Sequence, residues 1–134
     1  MKKLIFIAAA SILICAGCGK VDQNKAKTLV ESLIHKIDSG AYSQTSNYYT
    51  EEFNASESVE ARTEKYQKLK EATGSLVSLE CTSVKTATDP DDRPIVELIY
   101  QVKFANITML EAFSVVSQNG DLKVESHDIK QQGM

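Results

Sequence analysis

A change of hydrophobic period at Gly74 divides this 134-residue chain into a helical part and a β part. From Asn24 to Asp38 the apolar residues Leu29, Val30, Leu33, Ile34 and Ile37 recur at the spacing of one helix face. Ser39-Gly40 ends that helix, with Gly40 suited to the left-handed position just past it. A short helical piece is expected over Tyr42 to Tyr49. Asn54 is then expected to cap a third helix, with Glu57 three residues on in a capping-box arrangement and Val59, Arg62, Tyr66 and Leu69 on one face.

After Gly74 the period becomes two. Val77, Leu79 and Cys81 alternate with Ser78, Glu80 and Thr82 in a first strand, Ser75 to Lys85. A second strand, Ile95 to Phe104, sets Val96, Leu98, Tyr100, Val102 and Phe104 against Glu97, Gln101 and Lys103. Asp89-Pro90-Asp91-Asp92-Arg93-Pro94 reads as a stiff charged hairpin loop between them. Ala105-Asn106 leads tightly into a third strand, Thr108 to Ser117, and Asn119-Gly120 is a strong hairpin signal before a fourth, Leu122 to Ile129. Helices followed by a four-stranded antiparallel meander define an α+β class, with the helices packed on one face of a curved sheet.

The N-terminus follows a different logic. Lys2 and Lys3 precede an eleven-residue apolar and small-residue run, Leu4 to Ile14. This is a secretory signal pattern, too short for a bilayer span of about 20 residues. The end of the segment, Cys15-Ala16-Gly17-Cys18, resembles the lipobox of bacterial lipoproteins. The resemblance implies cleavage before Cys18, which carries acyl chains, palmitate among them, and becomes the new N-terminus. Two or more such chains hold a protein stably at a membrane. The expected organisation is a signal peptide over 1 to 17, a lipidated tether over 18 to 23 and one domain over 24 to 134. The domain would face outward from the cell membrane, or sit on the periplasmic side of the outer membrane in a Gram-negative cell, since Gly19 rather than Asp follows the cysteine.

Cleavage would remove two lysines and take the formal net charge from −3 to −5. An acidic domain disfavours a nucleic-acid partner. Loss of Cys15 and lipidation of Cys18 would leave Cys81 as the single thiol, so no intramolecular disulfide is expected.

The order of elements resembles the nuclear transport factor 2-like superfamily, a cone-shaped α+β fold, and most of all its small lipoproteins. The residues that carry the resemblance are Ser39-Gly40-Ala41-Tyr42 after the opening helix, Gly74-Ser75-Leu76 at the entry to the sheet, and Glu111-Ala112-Phe113-Ser114-Val115 through Gly120-Asp121-Leu122-Lys123-Val124. A cystatin-like arrangement, one helix wrapped by a sheet, is the alternative. Enzymes of the superfamily use an acid or a histidine inside the cone as a general base. The strand faces assigned to the core, Val77, Leu79, Cys81, Val96, Leu98, Tyr100 and Val102, carry neither. Catalysis is therefore not expected, Glu111 with Tyr100 being the one pair that could be named for it.

The other chemistry-bearing residues are read conservatively. Cys81 alternates with Val77 and Leu79 as a buried small hydrophobe rather than a reactive thiol. His35 and His127 lack metal-ligand spacing, and His127, in period with Lys123 and Glu125, reads as solvated. Asp89, Asp91 and Asp92 read as a solvated loop, without the spacing of a calcium site. Asn54-Ala55-Ser56 and Asn106-Ile107-Thr108 match the glycosylation triplet, which carries no weight in a bacterial lipoprotein. Tyr42, Tyr66 and Tyr100, with Cys81, are the candidates to line a ligand pocket in the cone. No metal or cofactor is expected. The expected function is a non-catalytic interaction or accessory module for an envelope protein close to the membrane, the alternative being a carrier or sensor of a small apolar ligand.

Overall fold

The computed structural model describes residues 20–132, so Cys18 and the expected signal segment over 1 to 17 lie outside the described residues. Helix α1, Gln23–Asp38, is capped by Asp22, whose side chain accepts from the Lys25 N–H. Ala26, Val30, Leu33 and Ile34 form its buried stripe. The helix ends as its sequence suggests: Gly40 has φ 84° and its N–H donates to the Ile37 carbonyl. Val21, just ahead of the helix, already packs into the core at 8% exposure.

A 3-10 helix, Tyr42–Tyr48, follows, and then two helices where one was expected. Helix α2, Glu51–Ser56, is capped by Thr50, whose hydroxyl accepts from the Phe53 N–H. Helix α3, Val59–Thr73, is capped by Ser58, which accepts from the Ala61 N–H. Asn54 is therefore no cap; it lies inside α2 and spends its side chain on tertiary contacts.

The four strands are β1 Leu76–Thr88, β2 Pro94–Phe104, β3 Thr108–Gln118 and β4 Asp121–Gln131, paired antiparallel in sequence order. The β3–β4 turn has Asn119 at φ 55° and Gly120 at φ 86°, the two positive values that a two-residue hairpin requires. The inner face of the sheet presents Val96, Leu98, Tyr100 and Val102 from β2 and Phe113 and Val115 from β3, all buried with the apolar stripe of α1. Each such apolar side chain withdrawn from water stabilises the fold by roughly 1.5 to 3 kcal/mol.

Three irregularities interrupt the ladders, and each changes which face a residue occupies. In β1 the pairing jumps from Leu76 to Ser78 and from Cys81 to Ser83, leaving Val77 and Thr82 as extra residues. Val77, expected in the core, is consequently 60% exposed, and Leu76 packs inward in its place. In β4 the partners of Ser114 and Val115 are Ser126 and Val124, so Glu125 is the extra residue. A bulge of this kind shifts every later side chain to the opposite face. His127, three residues beyond Val124, thus shares the inner face with it.

Candidate functional site

The bulge at Glu125 delivers His127 into the core, where its side chain is 1% exposed. The solvated histidine expected from its alternation with Lys123 and Glu125 is corrected on this ground. Phe113, directly opposite on β3, stacks on the imidazole with centroids 4.2 Å apart. His127 Nε2 lies 2.8 Å from Glu111 Oε1, whose side chain is 5% exposed. On its other side, Nδ1 lies 3.0 Å from the Tyr49 hydroxyl and 3.5 Å from that of Tyr66, and the two hydroxyls are 2.8 Å apart. Glu111, His127, Tyr49 and Tyr66 form one hydrogen-bonded chain linking two strands to the helical part. An acid and a histidine therefore stand in the interior: they come from β3 and β4, which the core faces assigned on β1 and β2 did not include.

Burial pushes the Tyr49 hydroxyl far above its usual range, reinforced by the Tyr66 hydroxyl beside it. Burial likewise takes Tyr66 up to about 12, although its hydrogen bond to Tyr49 works the other way. Both phenols keep their protons at neutral pH and serve as donors. An imidazole that donates from Nε2 to the Glu111 carboxylate accepts at Nδ1 from one of them, which satisfies every ring position. The chain can hold protons in order, but it offers neither a free base nor a phenolate.

Next to it lies a second buried knot. Arg62, on α3, is fully buried. Its guanidinium donates to Glu57 Oε1 at 3.2 Å, Asn54 Oδ1 at 2.9 Å, Ser46 Oγ at 3.3 Å and Thr45 Oγ1 at 3.4 Å. It also sits over the Tyr49 ring, 4.6 Å from its centroid, while Phe53 stacks on that ring at 4.1 Å. One side chain thus joins the 3-10 helix, α2 and α3. The backbone of the same segment is tied to the sheet: Tyr49 bridges Val124, and the Thr50 N–H donates to the Val124 carbonyl. Sequence placed Arg62 on the inner face of its helix but gave no sign that the charge would be fully buried, because its partners come from three other stretches.

A small cavity lies beside this chain at the end of the domain where α1 and α3 finish. Ile34, Ile37, Leu69, Phe104 and Ile129 line it together with Tyr66, Glu111, Asp38, Lys70, Thr73 and Gly74. Its volume is about 30 Å3. Space for one water needs about 10 to 15 Å3 on this measure, so the cavity has room for a water or two. Lys70 Nζ donates to the Asp38 backbone carbonyl, and Asp38 Oδ1 accepts from the Leu76 N–H at 2.9 Å, closing the rim.

The four residues expected to line one pocket do not converge. Tyr66 borders the cavity and Tyr42 stacks on it at 6.1 Å. Tyr100 is buried on β2 and donates to Glu31 Oε2 on α1 at 2.9 Å; burial first and then that carboxylate push its hydroxyl well above the usual range. Cys81, opposite Tyr100 across the ladder, is half-buried beside the core. Tyr100 is also the cross-strand neighbour of Glu111, yet Glu111 takes its hydrogen bond from His127.

The charged loop differs from the expectation as well. Asp89 is 6% exposed rather than solvated. Its carboxylate accepts from the Asp91 and Arg93 N–H groups and from Arg93 Nε, each at 2.9 Å. Burial acts to raise Asp89, but these donors, the Arg93 N–H foremost, hold it below the usual carboxylate range. Glu125, the bulge residue, is pushed up to about 7 by burial and then by its hydrogen bond with Asp89. Among the described residues no group of three or more His, Cys, Asp or Glu stands where it could hold a metal ion. No protein-family model matches this chain, and no curated protein matches it.

Proposed function

We propose that this chain is an outward-facing envelope lipoprotein, anchored through acyl chains on Cys18, whose nuclear transport factor 2-like domain acts by binding another envelope component rather than by chemistry. The observation that carries this reading is the filled interior of the cone. Its cavity of about 30 Å3 has no room for an organic substrate, and small-molecule sites run to about 300 Å3 or more. The polar groups inside are paired with one another: among the described residues no buried side-chain nitrogen or oxygen lacks a partner. A saturated network of this kind rigidifies a fold and specifies its packing. The same small volume weighs against a carrier of apolar ligands.

One observation favours a second reading, acid–base chemistry on a small polar molecule: Glu111 and Tyr66 both line the cavity. Native mass spectrometry of the full chain, purified from membranes in mild detergent, separates the two. The binding-module reading expects the mass of the lipidated chain alone, or of its complex with another protein. A reproducible adduct of up to a few hundred daltons that disappears in Glu111→Gln would sink it in favour of the second.

A further inference from the structure

The anchor reading acquires a direction from the way the chain enters the domain. Three links separate Cys18 from Val21, and Val21 is fixed in the core. At about 3.5 Å per residue the tether reaches roughly 10 Å, half of what a helix starting at Asn24 allows. Lys20, Asp22 and Lys25 border one shallow cleft with Ser117, Gly120, Asp121 and Leu122. The chain therefore leaves the domain beside the β3–β4 turn. The Asp89 to Arg93 loop stands at the same end, since Ile95 pairs with Val116 and Ser117 with Leu122.

The cavity-lining residues Asp38, Thr73 and Gly74 are at the other end. Asp38 closes α1, a helix of 16 residues that at 1.5 Å each spans about 24 Å. Thr73 and Gly74 lie beside Asn106 at the β2–β3 turn, where the Asn106 N–H donates to the Thr73 carbonyl at 2.9 Å. Strand β3 runs from that turn to the tethered end, 11 residues or about 33 Å when extended. A tether of about 10 Å keeps this end farther from the surface than the tethered end whenever the sheet stands upright on it.

We infer that the β3–β4 turn and the Asp89 to Arg93 loop face the lipid surface, and that the end carrying Asp38, Lys70, Thr73, Gly74 and the β2–β3 turn faces away from it, into the aqueous compartment. The inference rests on lipidation at Cys18. It makes the far end of the cone, with the β2–β3 turn, the part that a partner approaching from solution meets first, some 25 to 30 Å above the bilayer on the dimensions just given. A partner confined to the headgroup layer would instead meet the β3–β4 turn.

The test uses the full chain, expressed with its own N-terminus and reconstituted in phosphatidylcholine vesicles that contain a nitroxide-headgroup lipid. A fluorescent non-natural amino acid replaces Asp121 in one sample and Lys103 in another; both positions are exposed, and Lys103 lies beside the β2–β3 turn. Severalfold stronger quenching at Asp121 than at Lys103 is expected, with the difference shrinking when a flexible Gly/Ser stretch of about 20 residues is inserted after Lys20. Equal quenching in the unextended chain means that the domain lies on its side and overturns the orientation while leaving the anchor intact. Mass analysis of the N-terminal peptide tests the anchor separately: a chain without lipid on Cys18 overturns both.

Discussion

Arg62 shows how a single residue can hold a small domain together. Its guanidinium is fully buried, yet its partner Glu57 retains 23% exposure, so the pair is a charge drawn into the protein and met by a carboxylate at the edge. Removing one partner of such a pair leaves the other groups desolvated and unpaired. Arg62→Ala is expected to destabilise the chain by about 3 to 5 kcal/mol in urea unfolding, because Asn54, Ser46, Thr45 and Glu57 all lose a donor. Arg62→Lys should recover only a minor part, since an ammonium cannot reach four acceptors in a plane. Equal stability of Lys and Arg at this position would show that charge alone suffices. Glu111 and His127 are a second case. Their contact at 2.8 Å, between side chains 5% and 1% exposed, is expected to give a coupling of about 1 to 3 kcal/mol in a double-mutant cycle, and none if each merely fills space.

At the scale of elements, the junctions and bulges decide which residues meet. Gly74 joins α3 to β1 with φ 80° and ψ −168°, a region open only to glycine, and a Cβ there would stand 2.9 Å from that of Ala105. Gly74→Ala should therefore cost more than about 2 kcal/mol, read as a fall in the urea midpoint. Glu125 ties the β4 bulge to the β1–β2 loop through Asp89 and Arg93. Its folded carboxyl titrates near 7 against an ordinary 4.5, so between these values the folded state binds more protons than the unfolded one. Stability from this group is complete below about pH 4.5 and is lost as the pH rises through 7. Asp89, held low, acts in the opposite sense but only below the ordinary value of 3.8, so the two windows do not overlap. The stability of Glu125→Gln relative to the native chain should accordingly improve between pH 5 and pH 8; a constant difference would mean that Glu125 is already ionised at pH 5. These elements also mark how far the sequence could be read. The stripe of α1, the alternation in β2 and the Asn119-Gly120 turn are local patterns, and each reappears where its residues indicate. The bulges at Val77, Thr82 and Glu125 leave no such mark, and a reading by strict alternation fails at the first and beyond the other two. Glu111 could be named as an acid, but its partner could not, because His127 reaches it only through the bulge.

For the molecule as a whole, the question is whether the helical part and the sheet unfold as one unit. Helix α1 is fixed to the sheet by an apolar face that includes Val30, Leu33, Leu98 and Val102. The segment from Tyr42 to Thr73 is held differently. Its interior is the Arg62 knot, and its ties to the sheet include the Tyr49 and Thr50 contacts with Val124, the Glu51 N–H bond to Gln118, the hydroxyls of Tyr49 and Tyr66 on His127, and the Asn106 bond to Thr73. Polar ties of this kind contribute about 1 kcal/mol each, less than a buried apolar face of the size that seats α1. The segment should therefore open at a lower free energy than β2 and β3, in the manner of a separate cooperative unit. Hydrogen exchange on His127→Ala is the decisive measurement. Loss of the imidazole removes the acceptor at the end of the paired phenols and the stacking partner of Phe113, so amides between Tyr42 and Thr73 should exchange faster while those of β2 keep their protection. Uniform acceleration across the chain would mean that the polar chain is part of one indivisible core. The selective outcome would make the helical cap a hinged cover over Glu111 and the cavity, able to loosen while the sheet and Val21 stay in place.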